Sequence, residues 1–193
     1  MSEEELVAAL ASLGESGGVD PVILEDLLDS LRDFWPLCSA STLMKALLAF
    51  GQAGVLEVGT FRALVEQLEA RVKLIGAADQ RSLLLMLALH KGAFDRARIL
   101  PHPLHDEPTK RLIRVLTSQA CACIPTAPLP EIVHPTLAMA ELNSLSRRAR
   151  SALEERLGSG RLLSLPPSAF VSLAYAHRLA SGPVPNEHLR QPF

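Results

Sequence analysis

Apolar residues recur along this chain at helical spacing, and the recurrence carries a second, longer period. Leu6-Val-Ala-Ala-Leu10-Ala-Ser-Leu-Gly14-Glu-Ser-Gly17 lies over Leu43-Met-Lys-Ala-Leu47-Leu-Ala-Phe-Gly51-Gln-Ala-Gly54 at an offset of 37, with Leu, Ala, Leu, Gly and Gly coinciding. The register continues: Leu24, Leu27, Leu28 and Leu31 fall on Phe61, Leu64, Val65 and Leu68, the 3, 1, 3 spacing of one helix face. A third copy follows at an offset of 38, where Ser41, Leu47, Leu48, Gly54, Val55 and Leu56 fall on Asp79, Leu85, Met86, Gly92, Ala93 and Phe94. The pattern predicts a helix, a Gly-punctuated turn and a second helix, repeated. Leu6 to Gly14, Leu43 to Gly51 and Leu83 to Leu89 become parallel first helices, with Leu24 to Leu31 and Phe61 to Leu68 antiparallel to them and no β-sheet.

Local chemistry sets the expected boundaries. Ser41 and Asp79 are read as caps that accept bonds from the free N–H groups of a helix start, and Gly14, Gly17, Gly54 and Gly92 as the left-handed positions that end a first helix. Small Ala9 and Ala46 let neighbouring helices approach. Pro101 and Pro103 forbid a helix where the third unit's second helix is due. The pattern resumes at Pro108 as Pro-Thr-Lys-Arg-Leu-Ile-Arg-Val-Leu, implying an insertion of about ten residues, which costs a loop little.

Residues 121–135, with Pro125, Pro128, Pro130 and Pro135, read as an irregular connector. One helix is then expected from near Thr136 through Leu142, Leu145, Ala149 and Leu153 to Leu157, stopped by Gly158 to Gly160. Ser168 to Ala180, after Pro166 and Pro167, again looks like a first helix, and no second helix follows it before Phe193. The reading is an all-α, right-handed α-solenoid of 37–38-residue helical pairs, roughly four and a half units in one domain of residues 1–193. The units are approximately 3–37, 38–75, 76–120, 134–160 and 165–193, the last two irregular. An array ending on an unpaired helix points to a larger parent protein or to a protein partner covering the C-terminal helix. Phe170, Val171, Leu173 and Ala174 are expected to form a face only partly covered.

Composition supports helices: 36 of the 193 residues are leucine and only 4% are aromatic. The longest clean apolar run, Leu83 to Leu89, is far short of the roughly 20 residues a membrane span needs. Three cysteines without a paired framework fit a reducing compartment. Net charge is −2, but residues 1–37 hold nine acids against one Arg, leaving 18 bases against 12 acids beyond them. The chain is electrically polarised. Its start, Met-Ser-Glu-Glu-Glu, resembles no leader, so the chain is expected to be cytoplasmic or to lack its targeting segment.

The unit Leu-x-x-Ala-Leu-x-x-x-Gly-x-x-Gly, followed by an amphipathic helix at a period of 37 to 38, resembles the octotricopeptide and heptatricopeptide helical-pair repeats of organellar RNA-binding proteins, often found beside a RAP domain. The resemblance covers residues 5–73 well, 79–116 partly and 134–182 loosely, and no segment resembles the RAP domain itself. It implies organellar RNA metabolism in a mitochondrion or plastid, or a place in an organellar ribonucleoprotein, with polar residues of the first helices meeting RNA. By position these are Lys45, Arg81 and Ser172. HEAT and armadillo adaptors share the leucine-rich helical pair, so a protein-binding scaffold without RNA contact is the alternative.

Candidate chemistry is sparse. Lys110, Arg111 and Arg114, with Arg147, Arg148, Arg150, Arg156 and Arg161 later, could form a phosphate-binding face or simply a solvated one, with Glu154 and Glu155 available as local partners. Cys121-x-Cys123 with His102, His105 and His134 invites a zinc reading, but the spacing is wrong for a finger, so no metal and no cofactor are expected. His90 and His177 are read as cations near the C-terminal ends of first helices. Trp35 is expected to wedge between units. No nucleophile constellation, phosphate loop or paired carboxylate is present, so no enzyme activity, small-molecule substrate or membrane association is expected.

Overall fold

The computed structural model describes residues 5, 8, 12, 31, 33–53, 57–158 and 166–181. Among them lie seven α-helices, two short 3-10 turns and no strand: α1 (Ala40–Ala53), α2 (Val58–Arg71), a 3-10 turn (Val72–Leu74), α3 (Ala77–Ala97), a second 3-10 turn (Pro103–His105), α4 (Glu107–Cys123), α5 (Leu129–Glu141), α6 (Arg147–Gly158) and α7 (Pro167–Ser181). The chain is all-helical over these residues. It divides into two compact units, residues 1–116 and 117–193, with the division falling inside α4. Leu6 to Gly14, with Gly17 and Gly54, lies outside the described residues except for Ala8 and Ser12, and so does Leu24 to Leu31 except for Leu31.

In the first unit α1 packs on both α2 and α3. Leu43, Leu47, Leu64 and Leu68 of the period are fully buried. The third copy is shifted by one residue: α3 starts 37 residues after α1, so Leu85 and Met86, expected to match Leu47 and Leu48 at an offset of 38, are half-buried, and Leu83, Leu84 and Leu87 are the fully buried positions. Each such side chain contributes on the order of 1.5–3 kcal/mol by leaving water. Trp35 is buried and meets Phe50 of α1 edge-on, with ring centroids 6.3 Å apart. Arg71, the last residue of α2, reaches back with Nη2 to the Pro36 carbonyl at 2.5 Å, tying the end of one helical pair to the turn that opens it.

Several boundaries differ from those expected, each for a local reason. Ser39, not Ser41, caps α1, its Oγ accepting from the Thr42 amide at 3.2 Å. Asp79 sits in the first turn of α3, whose N-cap is Gly76, so it acts on the helix dipole and is not the cap. Helix α3 runs straight through Gly92, and Arg98 ends it in the left-handed conformation at φ 55°, with the amides of Arg98 and Ile99 bonding back to Asp95 and Phe94. Helix α4 begins at Glu107 with Pro108 in its first turn, as the inserted loop required.

In the second unit α5 packs on α7. The expected connector at 121–135 shrinks to the turn at 124–128, because Pro130 occupies the tolerated first turn of α5 and Pro135 is accommodated inside it. The single helix expected from Thr136 to Leu157 is two helices. The break is at Asn143, whose φ of 52° is the left-handed stop, and the Leu142, Asn143 and Ser144 amides cap the end of α5. Ser146 then caps α6, accepting from the Ala149 amide at 3.1 Å. Arg156 of α6 donates to the carbonyls of Ile124 at 2.5 Å and Ala127 at 2.7 Å, a tie of the same kind as that from Arg71.

Because Leu47 is fully buried on a helix with two packed neighbours, Leu47→Ala should cost about 2–5 kcal/mol. Urea denaturation should show this as a lower midpoint with an unchanged slope.

Candidate binding surface

The starts of α1, α3, α5 and α7, at residues 40, 77, 129 and 167, are spaced by 37, 52 and 38 residues. Counting from each start aligns these four first helices. Five residues after the start stand Lys45, Ser82 and His134, all exposed, and Ser172, half-buried. Eight residues after it stand Leu48, Leu85 and Leu137, half-buried, and Tyr175, 49% exposed. Each first helix thus presents a polar side chain followed, one turn later, by a large apolar one. Lys45 in the first unit and Ser172 in the second hold this position. Arg81 stands one position before it and is half-buried. Ser82 and His134 were not anticipated: the proline-rich stretch hid the start of α5, and a helix without a start cannot be put in register.

The remaining basic residues fall in two groups. Lys110, Arg111 and Arg114 lie on α4 in the first unit and are exposed. Arg111 donates from Nε to Glu69 Oε1 of α2 at 3.0 Å, so part of its charge is already engaged. Arg147 and Arg148 open α6 in the second unit and are exposed, whereas Arg150 is half-buried.

His90, for its part, is not a helix-end cation. His90 is buried, and its Nε2 lies 2.8 Å from the Leu47 carbonyl, joining α3 to α1. A carbonyl only accepts, so Nε2 carries the proton, and Nδ1 is buried without a hydrogen-bond partner. Gly51 makes room for the ring, since a Cβ there would come within 3.1 Å of Nε2. Phe61 and Phe94 pack at centroid distances of 5.2 and 5.9 Å. Burial lowers the His90 pKa, and the Leu47 contact offsets that only in part. His90 is therefore neutral at pH 7.

His102 accepts from the Leu104 amide through Nδ1 at 3.2 Å, which leaves Nε2–H 3.2 Å from Asp95 Oδ1, close but not aligned as a hydrogen bond. Lys91 at 2.7 Å and His102 together hold the Asp95 carboxyl below its usual range. His177 Nε2 contacts Glu154 Oε1 at 2.8 Å. The Cys121 thiol sits 3.6 Å from the Met139 sulfur, and burial pushes its pKa up, which disfavours the thiolate a metal needs. Among the described residues no three His, Cys, Asp or Glu side chains converge on a metal position, and no helix is long and apolar enough to cross a membrane.

Between α6 and α7 lies a cavity of about 320 Å3 lined by Glu154, Leu157, Phe170, Leu173, Ala174 and His177. Leu173 is buried, whereas Phe170 is 47% and Val171 65% exposed and Ala174 is exposed, so the face is partly covered. Comparison with protein-family models, curated proteins and solved structures finds no match to this chain.

The orphaned Nδ1 of His90 makes stability depend on pH. The unfolded chain, with histidine near 6.5, binds the proton before the folded chain does. Stability is therefore full above that pH and falls as the pH drops below it, until the folded His90 itself protonates. His90→Gln keeps a donor for Leu47 but cannot titrate. The urea midpoint lost by the native chain between pH 7.5 and 5.5 should exceed that lost by the variant.

Proposed function

We propose that this chain is a non-catalytic, α-solenoid-type helical-repeat binding module acting in organellar RNA metabolism or within an organellar ribonucleoprotein. The observation that carries the reading is the recurrence within each unit of a polar side chain at the same position of its first helices, Lys45 and Ser82 in the first unit and His134 and Ser172 in the second. First helices also pack on first helices, α1 on α3 and α5 on α7, as stacked helical pairs require. A recurring side chain on such a surface suits a ligand that itself repeats, and a nucleic-acid strand repeats by the nucleotide. The exposed Lys110, Arg114, Arg147 and Arg148 supply charge for phosphates. Tyr175 adds an exposed ring on which a base can stack. The family resemblance supports the organellar assignment.

Binding of a fluorescent single-stranded RNA, followed by anisotropy, tests this. Affinity should fall with salt by about 0.7 log units per log unit for each phosphate contacted. Arg147→Glu with Arg148→Glu should weaken binding at least about tenfold and flatten the salt slope, with an unchanged melting temperature, because exposed charges contribute little to stability. Lys45→Glu should weaken it on the first-helix surface. Binding that ignores all three changes would leave the protein-binding scaffold as the better reading.

A further inference from the structure

The aligned first helices differ at one place. Three, six, seven and ten residues after the start stand Leu43, Ala46, Leu47 and Phe50 in α1, Gln80, Leu83, Leu84 and Leu87 in α3, and Ile132, Pro135, Thr136 and Met139 in α5. Every one is buried except Gln80, which is half-buried and spends its amide on the Val72 and Ile75 carbonyls. In α7 the same positions are Phe170, Leu173, Ala174 and His177, of which only Leu173 is buried. The second helices agree. Seven and ten residues after the start, α2 has Val65 and Leu68, both fully buried, while α6 has Glu154, exposed, and Leu157, half-buried. These six α6 and α7 residues are the ones that line the cavity.

In the first unit α1 has α2 packed on it, an amphipathic helix with Phe61, Leu64, Val65 and Leu68 buried. We infer that the groove between α6 and α7 is the docking site for an amphipathic α-helix of a partner protein, seated on α7 as α2 is on α1. Backbone inside an apolar groove needs its own hydrogen bonds, which a helix supplies and an extended peptide does not. Apolar side chains at i, i+3, i+4 and i+7 of the partner cover Phe170, Ala174 and Leu157. On the α6 wall Glu154 meets His177 through Oε1 alone and stays exposed, with the exposed Glu155 next to it in the chain, so a Lys or Arg is called for on the flank that meets α6, and this acidic edge repels nucleic-acid phosphates. The site uses none of the cations assigned to RNA, so the two readings stand or fall separately.

The test uses the full chain as bait for a displayed library of 18-residue peptides, half with that apolar spacing flanked by Lys or Glu, half with a central proline. Helical, Lys-flanked sequences should be enriched, and a synthetic winner should gain helical circular dichroism on binding. Ala174→Arg fills the groove from an exposed position and should lower affinity at least tenfold with melting temperature unchanged. Phe170→Ser should do the same by a different route, and Glu154→Lys should shift preference to Glu-flanked peptides. Failure to enrich helical peptides, enrichment of the proline set, or binding indifferent to both Ala174→Arg and Phe170→Ser would overturn the inference. So would self-association of the chain abolished by those variants, or competition by a synthetic peptide of residues 182–193, since each assigns the groove another occupant. RNA affinity of the charge-neutral Phe170→Ser variant should not change.

Discussion

Burial of leucine-rich helix faces against the neighbouring helix is the interaction on which the rest of this structure depends. The three cysteines are free, and the aromatic content is too low for a ring-built core. What remains is the set of four positions that is buried on α1 and α5 and, apart from Gln80, on α3. Burying each set is worth several kcal/mol in transfer free energy, against which ordering the backbone costs about 1–2 kcal/mol per residue. A helical pair is therefore marginal alone and gains stability from each neighbour.

Polar groups are arranged around that requirement. Ion pairs lie at the rims of the packed faces: Arg62 of α2 with Asp106 just before α4, and Arg111 of α4 with Glu69 of α2. There they fix the register of one helix against another without burying charge. His90 departs from this, a polar ring placed between two first helices and satisfied on one nitrogen only. Its presence explains Gly51, which a helix would otherwise replace by a residue of higher propensity.

The period was legible in α1 and α2 because the leucines that carry it are the residues that must be buried, whereas in α3 a run of leucines from Leu83 to Leu89 hid the true register by one residue, Leu84 and not Leu85 taking the buried place of Leu47. Stops and starts were less legible, since a proline has two meanings. Pro101 and Pro103 do interrupt the helices, whereas Pro130 fits a first turn and Pro135 is carried inside α5. The break at Asn143 carries no glycine or proline to announce it. Basic residues were legible as residue types, but their availability was not, because the partner of Arg111 is 42 residues away in the chain. Once the start of α5 was displaced, the register of His134 was lost with it.

The two arginine ties, Arg71 to Pro36 and Arg156 to Ile124 and Ala127, bear on how the chain folds. In each, a guanidinium on the second helix of a pair holds the turn just before the first helix of the same pair, across 35 residues in one case and 29 to 32 in the other. Each tie thus closes a loop of no more than 35 residues, and the entropy of closure grows only slowly with such lengths. Contacts this local favour rapid folding. Nucleation is possible at either tie, with growth outward one helix at a time, so that a lesion in one pair would leave the other able to form.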